Sequence, residues 1–300
     1  TCEAGELTNF FAAFSTGDRT RSFLKVQDGC NYHCSYCTIP LARGASRNLP
    51  IADLAAEAQR IAAQGQREIV LTGINTGDFG RTTGEPFIDL LRALDRVEGI
   101  DRYRISSIEP NLLTDEVIAF TAASKRFQPH FHIPIQSGSD RILALMRRRY
   151  DTAQFADRIA AVRRAVPDVF LGIDVIVGFP GETDEDFADT YRFLERLAPA
   201  FLHVFPYSAR PDTPAAGFPN RVPPPVAERR AAELGALSER LHRAFYEKQV
   251  GTQARVLWES TRRNGYMYGY TGNYVKVRTP FDRALINTIT PVKLTATDGE

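Results

Sequence analysis

Three of the four cysteines in this sequence, Cys30, Cys34 and Cys37, fall inside the short stretch DGCNYHCSYCTIP. Thiolates are soft ligands, and a spacing of three and then two intervening residues lets one loop wrap three sulfurs around a compact iron–sulfur centre. Three cysteines can hold three irons of a [4Fe-4S] cluster and leave the fourth iron open to a ligand from outside the protein. A ferredoxin would fill that position with another cysteine close by, and the sequence offers none there. Two other arrangements use the same residues. One is a set of unreactive buried thiols; the other is a Cys3His zinc site that takes His33 from inside the loop, although structural zinc favours separated ligand pairs. Cys2 stands far upstream and reads as a solvated thiol.

A loop of this kind needs rigid elements to position it. Short β-branched runs alternate with amphipathic helical patterns along the chain, the mark of βα units around a parallel sheet. Six strands are expected, at Ser22–Gln27, Glu68–Thr72, Arg102–Ile108, His130–Ile135, Phe170–Val177 and Leu202–Pro206. Helical patterns cover 51–64, 86–97, 114–123 and 184–197, with two more between the fourth and fifth strands. Thr114 and Thr183, each followed by acids, supply helix starts, because a hydroxyl cap and first-turn carboxylates satisfy the exposed N–H groups. The cysteines thus follow the first strand, at the carboxyl ends where α/β folds collect their chemistry.

The stretch RPDTPAAGFPNRVPPP, residues 210–225, cannot continue a helix or a central strand, so it reads as a connector. A long charged helical pattern follows over 226–249, and from Gly251 the chain changes to alternating segments with glycine turns. A small β-barrel that leans on the main domain is expected there. The 300 residues are 43% hydrophobic, and no apolar run approaches the roughly 18 residues that a bilayer span requires. The N-terminus has no export pattern, and a few cysteines cannot form a disulfide scaffold, so a soluble cytoplasmic protein is expected. Net charge is only +1, which excludes a uniformly basic binder. Regionally, residues 18–50 carry five basic and two acidic residues, 251–300 carry seven and four, and 51–220 carry nineteen and twenty-four. The two ends are mildly basic around an acidic body.

Cys-x3-Cys-x2-Cys with Tyr36 before the last cysteine, after the first strand of a six-unit βα chain, resembles a radical S-adenosylmethionine enzyme. More narrowly, FLKVQDGCNYHCSYCTIPLARGASRN, EIVLTGINTGDFG, RISSIEP, HIPIQSGSDRIL, LMRRRY, DVIVGFPGET and VFPYSARPDTPA resemble the tRNA methylthiotransferases, in particular the branch acting on threonylcarbamoyladenosine at position 37. The resemblance implies an α/β fold: a partial (βα)6 barrel over 20–210, a connector and long helix over 211–250, and a TRAM-like RNA-binding β-barrel over 251–300. Residues 1–19 would be the remnant of, or linker from, an amino-terminal domain.

The resemblance also implies the chemistry. The open iron would chelate S-adenosylmethionine, and an electron from the cluster would yield a 5′-deoxyadenosyl radical. Tyr36, Thr72, Gly73, Asn75, Ser107, Glu109, Gln136, Ser137, Arg148 and Gly178 match positions lining the cofactor channel, with Gly178 letting backbone approach the adenine. Full-length family members hold a second [4Fe-4S] cluster on an amino-terminal domain. This chain is therefore expected to keep radical generation and to lose methylthiolation. The expected partners are a tRNA anticodon stem-loop and an electron donor such as a flavodoxin or ferredoxin, with a monomeric chain and no membrane. Arg43 and Arg47 beside the cysteine loop, and Arg262, Arg263, Tyr270, Lys276 and Arg278 in the tail, are the candidate RNA contacts. Two rivals use the same residues: the sister branch that modifies a ribosomal protein, and an RNA-binding module with a structural metal, whose tail tyrosines stack bases.

Overall fold

The computed structural model describes residues 20–298; the linker expected at 1–19 and Cys2 lie outside the described residues. Six parallel strands follow the expected order: β1 (Arg21–Lys25), β2 (Glu68–Thr72), β3 (Arg102–Ile105), β4 (His130–His132), β5 (Phe170–Val177) and β6 (Phe201–Pro206). They form two three-stranded sheets, β1-β2-β3 and β4-β5-β6. Isolated bridges link them at Tyr103 with Phe127 and Ser107 with His132. The third and fourth strands are shorter than expected, ending at Ile105 and His132 rather than Ile108 and Ile135. Beyond those residues the chain bends into loops that carry site residues, and backbone pairing continues as single bridges and hydrogen bonds, such as Ile133 N–H to the Gly172 carbonyl at 2.9 Å and Ile135 N–H to the Asp174 carbonyl at 3.2 Å.

Helices α1 (Ile39–Arg43), α2 (Ile51–Ala63), α3 (Phe87–Asp95), α4 (Asp115–Ala123), α5 (Asp140–Leu145), α6 (Thr152–Ala165), α7 (Asp184–Leu197) and α8 (Pro224–Glu247) complete the body. Helix α2 turns Leu54, Ala58 and Ile61, all fully buried, toward the core shared with Leu24, Val26, Ile69 and Leu71. Burying a leucine or isoleucine side chain contributes about 1.5–3 kcal/mol, so this stripe fixes the helix more firmly than its propensity does. Thr114 caps α4, and Thr183 forms a reciprocal capping box with Asp186 at the start of α7, as the sequence expects. The proline segment contains one short 3-10 turn at Pro214–Gly217 before α8. Helix α8 then lies against β6, where Ser238 Oγ accepts from the Leu202 N–H at 2.9 Å. No helix among the described residues is long and apolar enough to cross a membrane.

The tail is an antiparallel sheet of β7 (Gln253–Arg263), β8 (Tyr266–Thr271), β9 (Lys276–Pro280) and β10 (Ile289–Lys293), in the order β10-β7-β8-β9. Its outer strands do not pair with each other among the described residues, which corrects the expected barrel to a half-barrel. It needs no closure, because buried arginines of β3 hold it to the main body. Arg102 donates to the carbonyls of Tyr270 at 2.9 Å and Arg255 at 2.6 Å, and Arg104 to those of Gly272 at 2.7 Å and Thr271 at 2.9 Å. Glu68, itself fully buried, accepts from Arg104 at 3.0 and 3.2 Å and balances the charge.

Candidate metal and cofactor site

The cysteine loop is closed at its base before any metal is considered. Asp28 and Arg47 exchange backbone hydrogen bonds at 3.0 and 2.8 Å, and the Arg47 guanidinium meets the Asp28 carboxylate at 3.1 Å. Between them, Gly29 has φ +72°, and a Cβ there would lie 2.0 Å from the Ala45 carbonyl oxygen, so only glycine fits this crossing. Buried Gln27 ties the loop to the second strand's exit. Its amide donates to the carbonyls of Asp28 at 3.0 Å and Gly29 at 2.7 Å and to Ser46 Oγ at 2.9 Å, while its oxygen accepts from the Asn75 N–H at 2.9 Å. Gln27 was not among the expected site residues. Its role comes from contacts to residues far apart in sequence.

Arg148 organises the cysteine side of the site. It lies buried after α5 and ion-pairs with Glu109, which follows β3. It also stands 3.2 Å from Cys34 Sγ, 3.4 Å from the Tyr36 hydroxyl and 2.6 Å from the Tyr150 hydroxyl. Burial works against the arginine's charge, but Glu109 and then the surrounding hydroxyls and thiol outweigh it and hold it protonated. Burial raises the Glu109 carboxyl, and Arg148 opposes that rise. Burial likewise raises the Cys34 thiol, with Arg148 drawing it back. Cys30 is pushed up to about 11, first by burial and further by Cys34, Cys37 and Glu109, against a hydrogen bond from the Tyr32 N–H. The three thiols therefore share one electrostatic neighbourhood, and a metal that takes them as thiolates must displace their protons.

The donor set fits a cluster better than a single ion. In a tetrahedral zinc site with Zn–S near 2.3 Å, sulfurs would stand about 3.8 Å apart. The three sulfurs here are not all within 4.8 Å of one another; among the described residues only His132, Asp174 and His203 meet that spacing. His33, the fourth ligand of the Cys3His alternative, is exposed. Backbone N–H groups of Tyr32 and Ile39 point at Cys30 Sγ and Cys37 Sγ, each at 3.4 Å, the kind of donor that stabilises ligating sulfur. Cys30, Cys34 and Cys37 would hold a [4Fe-4S] cluster.

The remaining expected residues divide into two groups. Asn75 is 2% exposed, and neither polar atom of its side-chain amide has a partner. A buried amide without partners is costly, and at the exit of β2, beside Thr72 and Gly73, it is suited to a polar ligand group. Gln136, after β4, holds φ 75°, a left-handed conformation uncommon for its type; its carbonyl accepts from the Ile176 N–H at 2.8 Å. The Ser107 carbonyl accepts from the Thr76 N–H at 3.2 Å and hydroxyl at 2.8 Å. Tyr36 packs edge-on against Phe179, with ring centroids 6.4 Å apart. Two residues, however, have structural occupations. Ser137 Oγ accepts from the Ser139 N–H at 3.2 Å and meets Thr190 Oγ1 of α7 at 3.3 Å. Gly178 has φ +74°, and a Cβ there would lie 2.6 Å from Ala227 Cβ, so close packing of α8 accounts for this glycine without an adenine.

Two of the candidate RNA contacts have partners within the chain. Arg47 is only 7% exposed, because the Asp28 pair and the Arg43 carbonyl, 2.6 Å away, occupy it. Half-buried Tyr270 stacks on Tyr274 at 4.9 Å, and Arg21 lies 4.6 Å over its ring, so it helps join tail to body. Arg43, Arg262, Arg263, Lys276 and Arg278 are exposed. On the outer face Lys276 lies 4.7 Å over Tyr268 and Arg278 5.0 Å over Tyr266.

A six-stranded parallel partial barrel with a three-cysteine loop after its first strand defines a class of enzymes, and the comparisons agree. The Radical SAM superfamily model matches residues 24–194. The threonylcarbamoyladenosine tRNA methylthiotransferase of Bacillus subtilis is 42% identical over 283 residues, covering 92% of this chain and 63% of that protein. The tRNA-2-methylthio-N(6)-dimethylallyladenosine synthase of Wolinella succinogenes is 38% identical over 94% of this chain and 67% of its own length. A second threonylcarbamoyladenosine tRNA methylthiotransferase, from Chlamydia pneumoniae, is 37% identical over 97% and 69%. The chain belongs to the radical SAM superfamily and, within it, to the methylthiotransferases. It spans about two thirds of the length of these relatives. Two solved structures share the fold: the radical S-adenosylmethionine methyltransferase TsrM from Kitasatospora setae (TM-score 0.56, 18% identity, 64% of this chain and 38% of that one), and coproporphyrinogen III oxidase from Escherichia coli (TM-score 0.52, 17%, 85% and 65%).

Proposed function

We infer that this chain carries the radical-generating core of a methylthiotransferase that acts on threonylcarbamoyladenosine at position 37 of tRNA. The observation that carries the reading is the closed loop bearing Cys30, Cys34 and Cys37, with Cys34 held 3.2 Å from Arg148 at the carboxyl ends of the strands. When bound, the cluster supplies an electron to S-adenosylmethionine. The chain's own residues do the rest. Arg148 and Glu109 set a neutral, desolvated wall beside the thiols, and the unpartnered Asn75 amide offers donor and acceptor to the amino-acid end of the cofactor.

The choice of threonylcarbamoyladenosine is supported by the Bacillus subtilis enzyme, 42% identical over 92% of this chain, beside a dimethylallyladenosine relative from Thermobifida fusca that is 41% identical over 79%. The tail, read as a TRAM-like module, supports an RNA substrate through its exposed Tyr266, Lys276 and Arg278 and half-buried Tyr268, since aromatic and cationic groups together stack bases and meet phosphates. The anticodon stem-loop would contact this face and Arg43. A second cluster would need thiols beyond those of this sequence, whose clustered cysteines form one set.

The test is anaerobic reconstitution with iron and sulfide, followed by reduction with S-adenosylmethionine. About four irons per chain and 5′-deoxyadenosine are expected. Zinc without sulfide would overturn the reading. A gel-shift series with tRNA at two salt concentrations should show affinity falling with salt, and tight binding to a ribosomal protein but not to tRNA would move the substrate to the sister branch.

A further inference from the structure

The second half of the barrel carries a cluster that the cysteine site does not use. His132 on β4, Asp174 on β5 and His203 on β6 each offer one ligand atom, and the three atoms lie within 4.8 Å of one another. Strand register explains the meeting. Asp174 is the direct partner of His203, and His132 is the partner of Gly172, two residues from Asp174 on the same strand face. The opposite face of β5 carries Ile173, Val175 and Val177, all fully buried in the main core, so the cluster faces away from the packed helices.

The geometry within it is close. His132 Nε2 stands 2.6 Å from Asp174 Oδ1, and the two imidazole centroids are 5.0 Å apart. A side chain at position 172 would begin 3.7 Å from His203 Nε2; with glycine there, that nitrogen is left uncovered on this side. A histidine–aspartate pair accounts for two of the residues. His203 has no hydrogen bond to either ring nitrogen among the described residues, and its charged neighbours are His132 and Asp174 alone.

We propose that His132, Asp174 and His203 bind one first-row divalent cation, with its remaining positions open to an oxygen donor of a molecule held in the barrel. Two imidazoles and one carboxylate form a ligand set that Zn2+, Co2+ and Fe2+ accept. Three adjacent strands present it, so little ordering is needed on binding. Asp174 also lies within electrostatic reach of Glu109, which places the ion's charge in the same interior as the cysteine side.

The probe is Zn2+ alone. The cluster-reconstituted chain and a chain with Cys2, Cys30, Cys34 and Cys37 all replaced by serine are dialysed against micromolar Zn2+, and zinc per chain is counted by mass spectrometry. About one zinc is expected in both, with affinity at least tenfold weaker in His203→Ala, His203→Gln and Asp174→Asn and with unchanged far-ultraviolet circular dichroism. Using three variants keeps the test available if one of them fails to fold. Zinc that disappears with the cysteines, or folded His203 variants that bind as tightly as the unaltered chain, would overturn the proposal. Neither result bears on deoxyadenosine formation, so the site and the proposed function fail separately.

Discussion

Replacing Arg148 with methionine should destabilise the metal-free chain by about 3–5 kcal/mol, the cost of leaving a buried charge without its partner. The side chains of Arg148 and Glu109 are 3% and 13% exposed, so water cannot substitute for either. Arg148→Met also removes the bonds to the Tyr150 hydroxyl at 3.0 and 2.6 Å. That hydroxyl keeps its own bond to the Pro134 carbonyl at 2.6 Å, so the extra loss is small. Glu109→Gln alone should cost about 1–3 kcal/mol, since the arginine then faces an amide. The double variant leaves no uncompensated charge, and its cost should fall at least 1–2 kcal/mol short of the summed single costs. Urea unfolding followed by circular dichroism measures all four proteins, with an unchanged dependence on urea confirming that the same transition is compared. Additivity within about 0.5 kcal/mol would refute the claim that the pair acts as one buried unit.

Arg104→Met should loosen the tail from the body, because fully buried Glu68 loses its nearest partner and two tail carbonyls lose a donor; a loss of about 3 kcal/mol or more is expected, together with faster proteolysis between α8 and β7. Gly178→Ala should destabilise by about 2–3 kcal/mol, since a left-handed non-glycine costs about 1–2 kcal/mol and the new methyl meets Ala227 at 2.6 Å. Adding Ala227→Gly should restore only the steric part, and full restoration would show that φ is not strained. Asp186 is held below its ordinary value of 3.8; burial opposes this, but hydrogen bonds from Arg141, Thr183 and Ser139 prevail. Because the folded value is the lower one, its stabilisation is present above about pH 4 and is lost as pH falls further. Asp186→Asn should therefore narrow its deficit in thermal melts as pH drops from 6 to 3, and a deficit constant with pH would refute the linkage.

The local elements were legible in the sequence because their causes are local. A β-branched run such as FLGIDVIV makes β5, Thr183 with Asp186 opens α7, and three cysteines inside one loop are near one another in any fold. Positions at strand ends, such as Asn75 and Glu109, were legible for a related reason: six regular βα units send their exits to one side. What each side chain touches there was not. Arg148 meets Cys34 across 114 residues of chain, Arg47 folds onto Asp28, and Tyr270 closes on Arg21 across the junction of tail and body. His132, Asp174 and His203 come together only through the register of β4, β5 and β6. Sequence carries propensity and pattern over a few residues at a time. Partner choice among buried charges is settled by which strands pair and in what register, because each such group must find its counter-charge within a few ångströms once water is gone.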